Sequence, residues 1–319
     1  MTPTSSPLGA PDIQAALASG LSAAEPSIAP KFLYDPLGCK LFEAICELPE
    51  YYPTRTEAAI LAQYAGELAA AIGTGCTLID LGAGNCAKAA RLFPVLQPSQ
   101  YVAVDISADF VHDAVEQLRH RFPAIAMHAV GLDFSDALEL PEVVADHKRL
   151  FFYPGSSIGN FAPDDARAFL RRVSAQCGVD GGLLIGIDLV KDQAILDAAY
   201  DDALGVTAAF NLNLLRHVNA LLGADFDLRQ WRHRGFFNRE QGRVEMHLEA
   251  REDLLVRWPG GQRGFARGQS IHTENSYKYR QGAALALLEG AGLKAVHVWT
   301  DPHEWFALIY ARAQPGLAS

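Results

Sequence analysis

Residues 78–93 read LIDLGAGNCAKAARLF, a stretch that predicts a turn able to hold a nucleotide. A short apolar run meets Asp80, Gly82 and Gly84 follow it, and the alanine-rich segment after them predicts a helix. Glycines let the backbone approach a ligand closely, and the N-terminus of the helix suits polar or anionic groups. The spacing Gly82-x-Gly84-x-x-Ala87 fits a dinucleotide site, whereas Asp80-x-Gly82-x-Gly84 fits an S-adenosylmethionine site equally well. The turn alone leaves both cofactors open.

Acidic residues elsewhere favour S-adenosylmethionine over NAD. Asp80 can meet the ammonium group of the methionine part, whereas in a dinucleotide site it would repel a pyrophosphate. Asp105 follows Ala87 by 18 residues and ends the next predicted strand, where either cofactor would use it for ribose hydroxyls. Asp133 and Phe134 supply an acid for an adenine amino group beside an apolar ring. We therefore expect S-adenosylmethionine as the cofactor and keep an NAD-dependent oxidoreductase as an alternative.

Alternating strands and helices surround these residues between about residues 75 and 190. The strands are apolar enough to be buried on both faces, as in a parallel sheet covered by helices. A final helix is followed by two strands around Asp301-Pro302, the usual ending of a class I methyltransferase sheet. The predicted fold is therefore an α/β, Rossmann-like class I methyltransferase sheet with an inserted α+β substrate-binding cap domain.

The change of pattern along the chain predicts five segments. Residues 193–223 predict one long helical stretch, and residues 231–250 predict a hairpin that turns at 239–242. Thr54 and Glu57 predict a capping box at the start of a helix that runs to about Ile72. The segments are a disordered tail at 1–10, the N-terminal part of the cap at 11–55, the S-adenosylmethionine-binding domain at 56–192, the inserted substrate-binding domain at 193–280, and the C-terminal helix and hairpin at 281–319.

Composition predicts an enzyme that acts on small molecules in the cytoplasm. The chain has 319 residues, a formal charge of −10 and five cysteines without a C-x-x-C pair, which disfavours a disulfide framework. The acidic balance argues against nucleic-acid binding. We expect no signal peptide and no membrane span, because the sequence has neither a basic start with an apolar run nor a long uncharged apolar stretch. We also expect a monomer, because no exposed apolar helix face stands out. We expect no metal, because the sequence has no H-E-x-x-H and no clustered Cys and His.

Several stretches together resemble the histidine-specific N-alpha-methyltransferases of ergothioneine biosynthesis. The resemblance runs in one order from about Lys31 to about Ala311, and it implies trimethylation of the α-amine of L-histidine to hercynine. The glycine turn departs from the family's more Ser/Thr-rich version at Asn85 and Cys86, but it keeps the glycines and Lys88. The stretches are KFLYDPLGCKLFEAICELPEYYPTRTE, LGAGNCAK, GSSIGNF, DLVKD, AYDDALGVTAAFN, VEMHL and HTENSYKY.

The resemblance also implies site residues. Tyr34 and Asn160 would lie near the substrate amine, and Tyr200 would bind its carboxylate. The imidazole would be recognised by Tyr51, Glu274 and Ser276, in a pocket lined by Met246 and Phe42. The expected cofactor-binding residues are Asp80, Gly82, Gly84, Lys88, Asp105, Asp133, Phe134 and Gly155.

Other interpretations remain open from the sequence. Asn160 could instead cap the helix predicted from Pro163, and Met246 could be an ordinary core residue. GSSIG, residues 155–159, fits G-x-S-x-G with Ser157 in the nucleophile position, although the helix predicted from Pro163 is too distant for a nucleophile elbow. The same methyl transfer to another amino acid or a small amine is the main alternative function.

Overall fold

A computed structural model describes residues 10–135, 137–178 and 180–314. The predicted tail at 1–10 therefore lies outside the described residues except for Ala10. The chain divides into two compact units. Unit 1 comprises Met1–Tyr52 and Lys191–Tyr277, and unit 2 comprises Pro53–Val190 and Lys278–Ser319.

The elements are numbered in chain order. The helices are α1 Ala10–Ser22, α2 Pro36–Cys46, α3 Tyr52–Gln63, α4 Ala65–Ile72, α5 Ala87–Ala90, α6 Phe93–Leu96, α7 Ala108–Arg121, α8 Pro163–Cys177, α9 Gln193–Tyr200, α10 Val206–Leu222 and α11 Gln281–Glu289. The strands are β1 Thr77–Leu81, β2 Gln100–Asp105, β3 Ala126–Gly131, β4 Arg149–Tyr153, β5 Gly182–Asp188, β6 Trp231–Asn238, β7 Arg243–Ala250, β8 Leu254–Trp258, β9 Gly261–Phe265, β10 Ser270–Tyr277, β11 Leu293–Thr300 and β12 Phe306–Ala313. Short 3-10 helices cover Pro30–Leu33, Ser157–Asn160 and Leu228–Gln230.

Unit 2 is built on a seven-stranded sheet in the order β3-β2-β1-β4-β5-β12-β11. Strands β1 to β5 pair in parallel, and the hairpin of β11 and β12 adds to β5 in antiparallel fashion. The strand order reverses between β1 and β4, which is the position where open α/β sheets bind ligands beyond their carboxyl ends. The predicted Rossmann-like sheet with its C-terminal hairpin is confirmed.

The apolar strands of this sheet are buried on both faces. In β1, Ile79 packs in the core on one face and Leu78 in the core on the other, and all five residues of the strand are buried. Successive side chains of a strand point to opposite faces, so a continuous apolar run fills both cores. Packing on both faces of the sheet fixes the ends of the strands, and it therefore fixes the points from which the following loops start.

Unit 1 contains a three-stranded antiparallel sheet in the order β10-β7-β6 and the two-stranded pair β8 and β9. The predicted hairpin of β6 and β7 is confirmed. Its register places Met246 opposite Glu274 and His247 opposite His272. The register shifts between His272 and Glu274, which is a β-bulge at Thr273. The threonine Oγ1 donates to the carbonyl of Met246 at 3.0 Å and holds the bulge in place.

The helix predicted over 193–223 is interrupted. The structure has α9 and α10 with residues 201–205 between them. The carboxylate of Asp202 accepts from the backbone N–H groups of Val206 and Thr207 at 3.0 and 2.7 Å, and Gly205 has a φ of 74°. Asp202 thus caps the first turn of α10, and this local capping ends the regular helix before it.

The capping box predicted at Thr54 and Glu57 is also wrong. Helix α3 begins at Tyr52, so Glu57 lies within the helix, where its side chain is only 1% exposed. Its Oε1 accepts from the backbone N–H of Gly155 at 2.8 Å, a partner 98 residues away. A long-range contact therefore takes the place of the local one. Within the described residues, no helix is both long and apolar enough to cross a membrane.

Candidate active site

The glycine turn after β1 has the backbone conformation that a close ligand approach requires. Gly82 and Gly84 have φ values of 71° and 52°, where any side chain would be strained. The Gly82 N–H donates to the carbonyl of Val104 at 2.8 Å, and the Gly84 N–H donates to Oδ2 of Asp105 at 2.9 Å. These two hydrogen bonds connect the turn to the end of β2. Asp105 therefore stabilises the conformation of the turn as well as lying next to it.

Asp105 keeps its carboxylate in a fixed position. Its Oδ1 accepts from the Ser107 N–H at 2.9 Å, while Oδ2 accepts from Gly84. Burial raises the pKa of this carboxyl group, and the backbone hydrogen bonds oppose that rise. Each carboxylate oxygen can accept a second hydrogen bond, so the group can also receive ribose hydroxyls.

Asp80 lies deeper than the turn itself and is 1% exposed. The hydroxyl of Tyr101 donates to its Oδ2 at 2.9 Å, whereas Oδ1 is buried without a hydrogen-bond partner among the described residues. Burial raises the pKa of this carboxyl to about 7, although the Tyr101 bond and Lys88 act in the opposite direction. An orphaned buried carboxylate oxygen is costly, and a cationic ligand group that reached it would remove that cost.

Glu57, Lys88 and Gly155 form a second group beside the turn. Glu57 Oε2 lies 3.0 Å from Nζ of Lys88, while Oε1 accepts from the Gly155 N–H. A Cβ added to Gly155 would lie 2.8 Å from the lysine ammonium, and φ at Gly155 is 74°. A Cβ at Gly186 in β5 would lie 2.1 Å from Oε1 of Glu57. Glycine is therefore needed on both sides of the buried glutamate.

Phe134 and Asp133 complete the cofactor set of unit 2. The Phe134 ring packs on Tyr153 with centroids 5.9 Å apart, and its Cζ would lie 3.8 Å from a Cβ at Gly82. Oδ1 of Asp133 accepts from the Ser135 N–H at 3.1 Å. An apolar ring and an acid therefore stand beside the turn, an arrangement that suits an adenine ring. The glycines at positive φ, the orphaned Asp80 oxygen and the ring together fit S-adenosylmethionine.

The substrate residues predicted in unit 1 form an aromatic box. We use this name for Tyr34, Phe42, Tyr51, Tyr200 and Phe210, whose neighbouring ring centroids are 5.6–6.2 Å apart. The rings come from the end of the first 3-10 helix, α2, the segment before α3, the end of α9 and α10. Most of the ring pairs meet edge to face, which favours a rigid arrangement.

Polar groups lie at the aromatic box. The Tyr200 hydroxyl donates to Oγ of Ser276 at 2.8 Å, and both groups are buried. Glu274 is 8% exposed and is close enough to raise the pKa values of Tyr34 and Tyr51, although burial is the largest cause of both rises. Met246 pairs with Glu274 across the sheet and is 1% exposed. A buried carboxylate beside aromatic rings can accept a hydrogen bond from a donor on a ligand.

Asn160 belongs to unit 2, where it ends the 3-10 helix Ser157–Asn160 and is half-buried. The alternative that it caps α8 is wrong, because that helix begins at Pro163 without a side-chain cap. Oγ of Ser157 donates to the carbonyl of Pro154 at 3.1 Å, so this serine closes its own turn. The positive φ of 58° belongs to Ser156, so the strained position of this loop is not the serine that fits the motif.

Two residues of these sites were not predicted. Glu57 was assigned to a helix cap, and Phe210 was not singled out from AAFNLN. The only signal for Phe210 was its place in a stretch shared with the family. Glu57 likewise ends a stretch shared with the family, but nothing local indicates its role, because its partners lie 31 and 98 residues away.

The sheet order, the glycine turn after β1 and the acids at or just beyond the carboxyl ends of β1, β2 and β3 define a class I S-adenosylmethionine-dependent methyltransferase. A family model described as "Histidine-specific methyltransferase, SAM-dependent" matches residues 13–313. The chain is 40% identical over 300 residues to a histidine N-alpha-methyltransferase of Mycolicibacterium smegmatis, and the aligned region covers 92% of each chain. It is 37% identical over 299 residues to a protein of the same name from Mycobacterium tuberculosis, again over 92% of each chain.

A longer fungal relative shares the same region. The chain is 32% identical over 292 residues to ergothioneine biosynthesis protein 1 of Neurospora crassa, which covers 88% of this chain and 33% of the relative. The chain belongs to the family of histidine-specific, S-adenosylmethionine-dependent methyltransferases. The predicted resemblance, the enzyme class and the cofactor are thereby confirmed.

Proposed function

We propose that this enzyme transfers three methyl groups in succession to the α-amine of L-histidine and releases hercynine, within ergothioneine biosynthesis. Family membership and the names of the relatives support histidine as the substrate. The observation that carries the assignment is Glu274, a carboxylate that is 8% exposed beside an aromatic box. Such a site can accept a hydrogen bond from an N–H group on a flat ring, which an imidazole provides.

S-adenosylmethionine supplies an already activated methyl group, so the protein mainly has to position a neutral amine. Unit 2 would bind the cofactor through Asp80, Gly82, Gly84, Lys88, Asp105, Asp133, Phe134 and Gly155. Asp80 would meet the ammonium group of the methionine part, and Asp105 would receive the ribose hydroxyls.

The amine would be received by Tyr34 and Asn160. An amide carbonyl accepts a hydrogen bond from an amine without fixing it as an ammonium, as a carboxylate tends to do. The pKa of Tyr34 is held well above 10, chiefly by burial and then by Glu274 and Tyr200, so its phenol keeps its proton. Tyr34 therefore acts as a hydrogen-bond partner that adapts to each methylation state, and it does not act as a phenolate base.

The remaining polar groups would select the amino acid. Glu274 would accept from an imidazole N–H, with Tyr51 and Ser276 beside the ring and Phe42 and Met246 lining the pocket. Tyr200 would bind the carboxylate. Its hydroxyl lies 2.8 Å from that of Ser276, so one ligand can touch both groups. A substrate without the N–H donor would lose this charge-assisted hydrogen bond and would bind more weakly.

Mass spectrometry tests the proposal directly. Purified protein is incubated with S-adenosylmethionine and each of the twenty amino acids in turn, and products are searched for one, two and three added methyl groups. Histidine should give all three products, with the trimethylated form accumulating. Absence of methylated histidine would refute the proposal, and methylation of another amino acid or a small amine would support the alternative substrate class. Monomeric state, cytoplasmic location and absence of nucleic-acid binding stay predictions.

A further inference from the structure

The face of the β10-β7-β6 sheet opposite Met246 carries a separate group of ligating side chains. Glu245 and His247 are two residues apart on β7 and therefore share a face. His272 on β10 lies directly opposite His247. One ligating atom from each of the three residues lies within 4.8 Å of the other two. The bulge at Thr273 leaves Glu274 on the other face, with Met246.

We propose that Glu245, His247 and His272 bind a divalent transition metal ion, with Zn²⁺ as the best fit. Two imidazole nitrogens and one carboxylate oxygen are a ligand set that suits Zn²⁺, with water in the fourth position. Ligands about 2.0–2.1 Å from zinc lie on the order of 3.3 Å from each other in a tetrahedron.

Each ligand atom can be assigned. Oε1 of Glu245 already accepts from Arg243 and Asn238 at 2.8 and 3.0 Å, so Oε2 is the oxygen that faces the histidine. Oε2 lies 2.9 Å from Nε2 of His247. Nε2 of His272 is buried and has no hydrogen-bond partner in the part of the chain that the structure describes. A metal ion would satisfy this third atom and join it to the other two.

The surroundings hold the imidazoles in place. The His247 ring stacks on Phe236 with centroids 5.5 Å apart and planes at 16°. Its Nδ1 lies 3.4 Å from Oγ of Ser270, so an Nδ1–H can donate to that hydroxyl while Nε2 binds the metal. Metal-binding histidines characteristically use their second nitrogen in this way.

The three ligands line a cavity of about 500 Å³ that also contains Ser27 and Ser270. Two arginines lie in the same wall, and each already donates to protein oxygens. Arg243 donates to Glu245 Oε1 and to the Tyr277 hydroxyl, and Arg263 donates to the carbonyl of Leu21 at 2.7 Å. The cavity gives room for water at the open coordination position, and it gives the ion a path of entry.

Calorimetric titration of the tag-free, EDTA-treated full chain with ZnCl₂ tests this site. The matched comparison is His272→Phe, which keeps a ring against His247, with His112→Phe as the control, because the His112 side chain is 64% exposed on α7. The wild type and His112→Phe should bind one Zn²⁺ per chain. The affinity of His272→Phe should fall by about 100-fold or more, and Zn²⁺ should raise the Tm of the wild type but not of this variant.

Glu245→Gln provides a second variant in case His272→Phe does not fold. Its amide oxygen still accepts from Arg243, so the strand contacts remain while the charge facing the metal is lost. We expect at least tenfold weaker Zn²⁺ binding, together with visible absorption of tetrahedral Co²⁺ in the wild type that both variants lack. A wild type that binds no Zn²⁺ at micromolar concentration would overturn the proposal, and so would variants that bind Zn²⁺ as tightly as the wild type.

Discussion

The glycine turn of unit 2 and the aromatic box of unit 1 are built in opposite ways. The turn uses backbone conformation within residues 80–88, held by the neighbouring strand end at Asp105. The box uses side chains that are spread from Tyr34 to Phe210 and come from five separate segments. The turn therefore depends on local geometry, whereas the box depends on the whole of unit 1 being folded.

This difference predicts a separation of effects. Variants in the box should change the affinity for the amino acid and leave the cofactor affinity unchanged, because their contacts lie within unit 1. Variants around the turn should do the reverse. The predictions for Glu274 and Glu57 compare the two affinities, so a mixed result there would count against the separation as well as against the residue.

The largest effect is expected for Glu274→Ala. Removing the buried carboxylate should weaken histidine binding by about 100-fold, since hydrogen bonds to charged groups contribute about 1.5–3 kcal/mol. Calorimetry with histidine and with S-adenosylmethionine measures both affinities. Glu249→Ala is the control, because Glu249 is also 8% exposed but lies on the face of the β10-β7-β6 sheet opposite to that of Glu274. Equal losses for both ligands would show that the assignment of the pocket is wrong.

Glu57→Ala should weaken cofactor binding by about tenfold or more. The change leaves the Gly155 N–H without its acceptor and Lys88 without its carboxylate, and an unsatisfied buried group costs about 1–3 kcal/mol. Glu57→Gln keeps an acceptor for Gly155 and should recover part of the loss. Glu67→Ala on α4 is a matched variant of unit 2. If histidine affinity fell instead of cofactor affinity, Glu57 would not belong to the cofactor group.

Cofactor affinity should depend on pH through Asp80. Its carboxyl has a pKa of about 7 in the folded chain, against 3.8 for an ordinary aspartate. Between these values the folded chain holds a proton that the unfolded chain has released, so this group makes stability fall as pH rises from about 4 to 7. A bound ammonium favours the ionised form, so the affinity should be about tenfold weaker at pH 6 than at pH 8.

Calorimetry with cofactor alone at several pH values measures this slope. Asp80→Asn should remove most of it, because an amide does not titrate. Asp105, whose pKa is also raised, stays in place and acts as the internal control. A slope that persists in Asp80→Asn would assign the titration to another group.

The smallest effect is expected for Tyr200→Phe. The variant loses the hydroxyl proposed to bind the substrate carboxylate, but the Ser276 hydroxyl, 2.8 Å away, remains and can replace part of that hydrogen bond, so the net loss is about 1 kcal/mol. Histidine affinity should fall by about fivefold while the ring packing against Tyr51 is kept. Tyr310→Phe in β12 is the matched control. No change in histidine affinity would remove Tyr200 from the substrate site.

The sheet and the turn could be predicted because their signals are local. Apolar runs, glycines and strand-end acids follow one another within short stretches, and Asp80, Gly82 and Gly84 needed no distant partner to be noticed. The aromatic box and Glu274 could be predicted only through the resemblance to a family. Nothing in the spacing of Tyr34, Tyr200 and Glu274 along the chain indicates that they lie close together.

Predictions failed where a long-range contact replaced a local one. Thr54 and Glu57 have the spacing of a capping box, but the glutamate is buried against Gly155 and Lys88. The break between α9 and α10 depends on how Asp202 caps the next helix, which a periodic pattern does not reveal. Likewise, no sequence motif joins Glu245 and His247 to His272, so the sequence does not predict that these three residues lie together.

The bulge at Thr273 has a consequence for aligning this strand with its relatives. The extra residue lets His272 stay opposite His247 and Glu274 stay opposite Met246, although an unbroken alternation would put both on one face. A relative with one residue fewer here could keep every cross-strand partner and pair as a regular strand. A one-residue gap placed at Thr273 would therefore preserve both sides of the sheet, whereas the same gap placed elsewhere in β10 would exchange them.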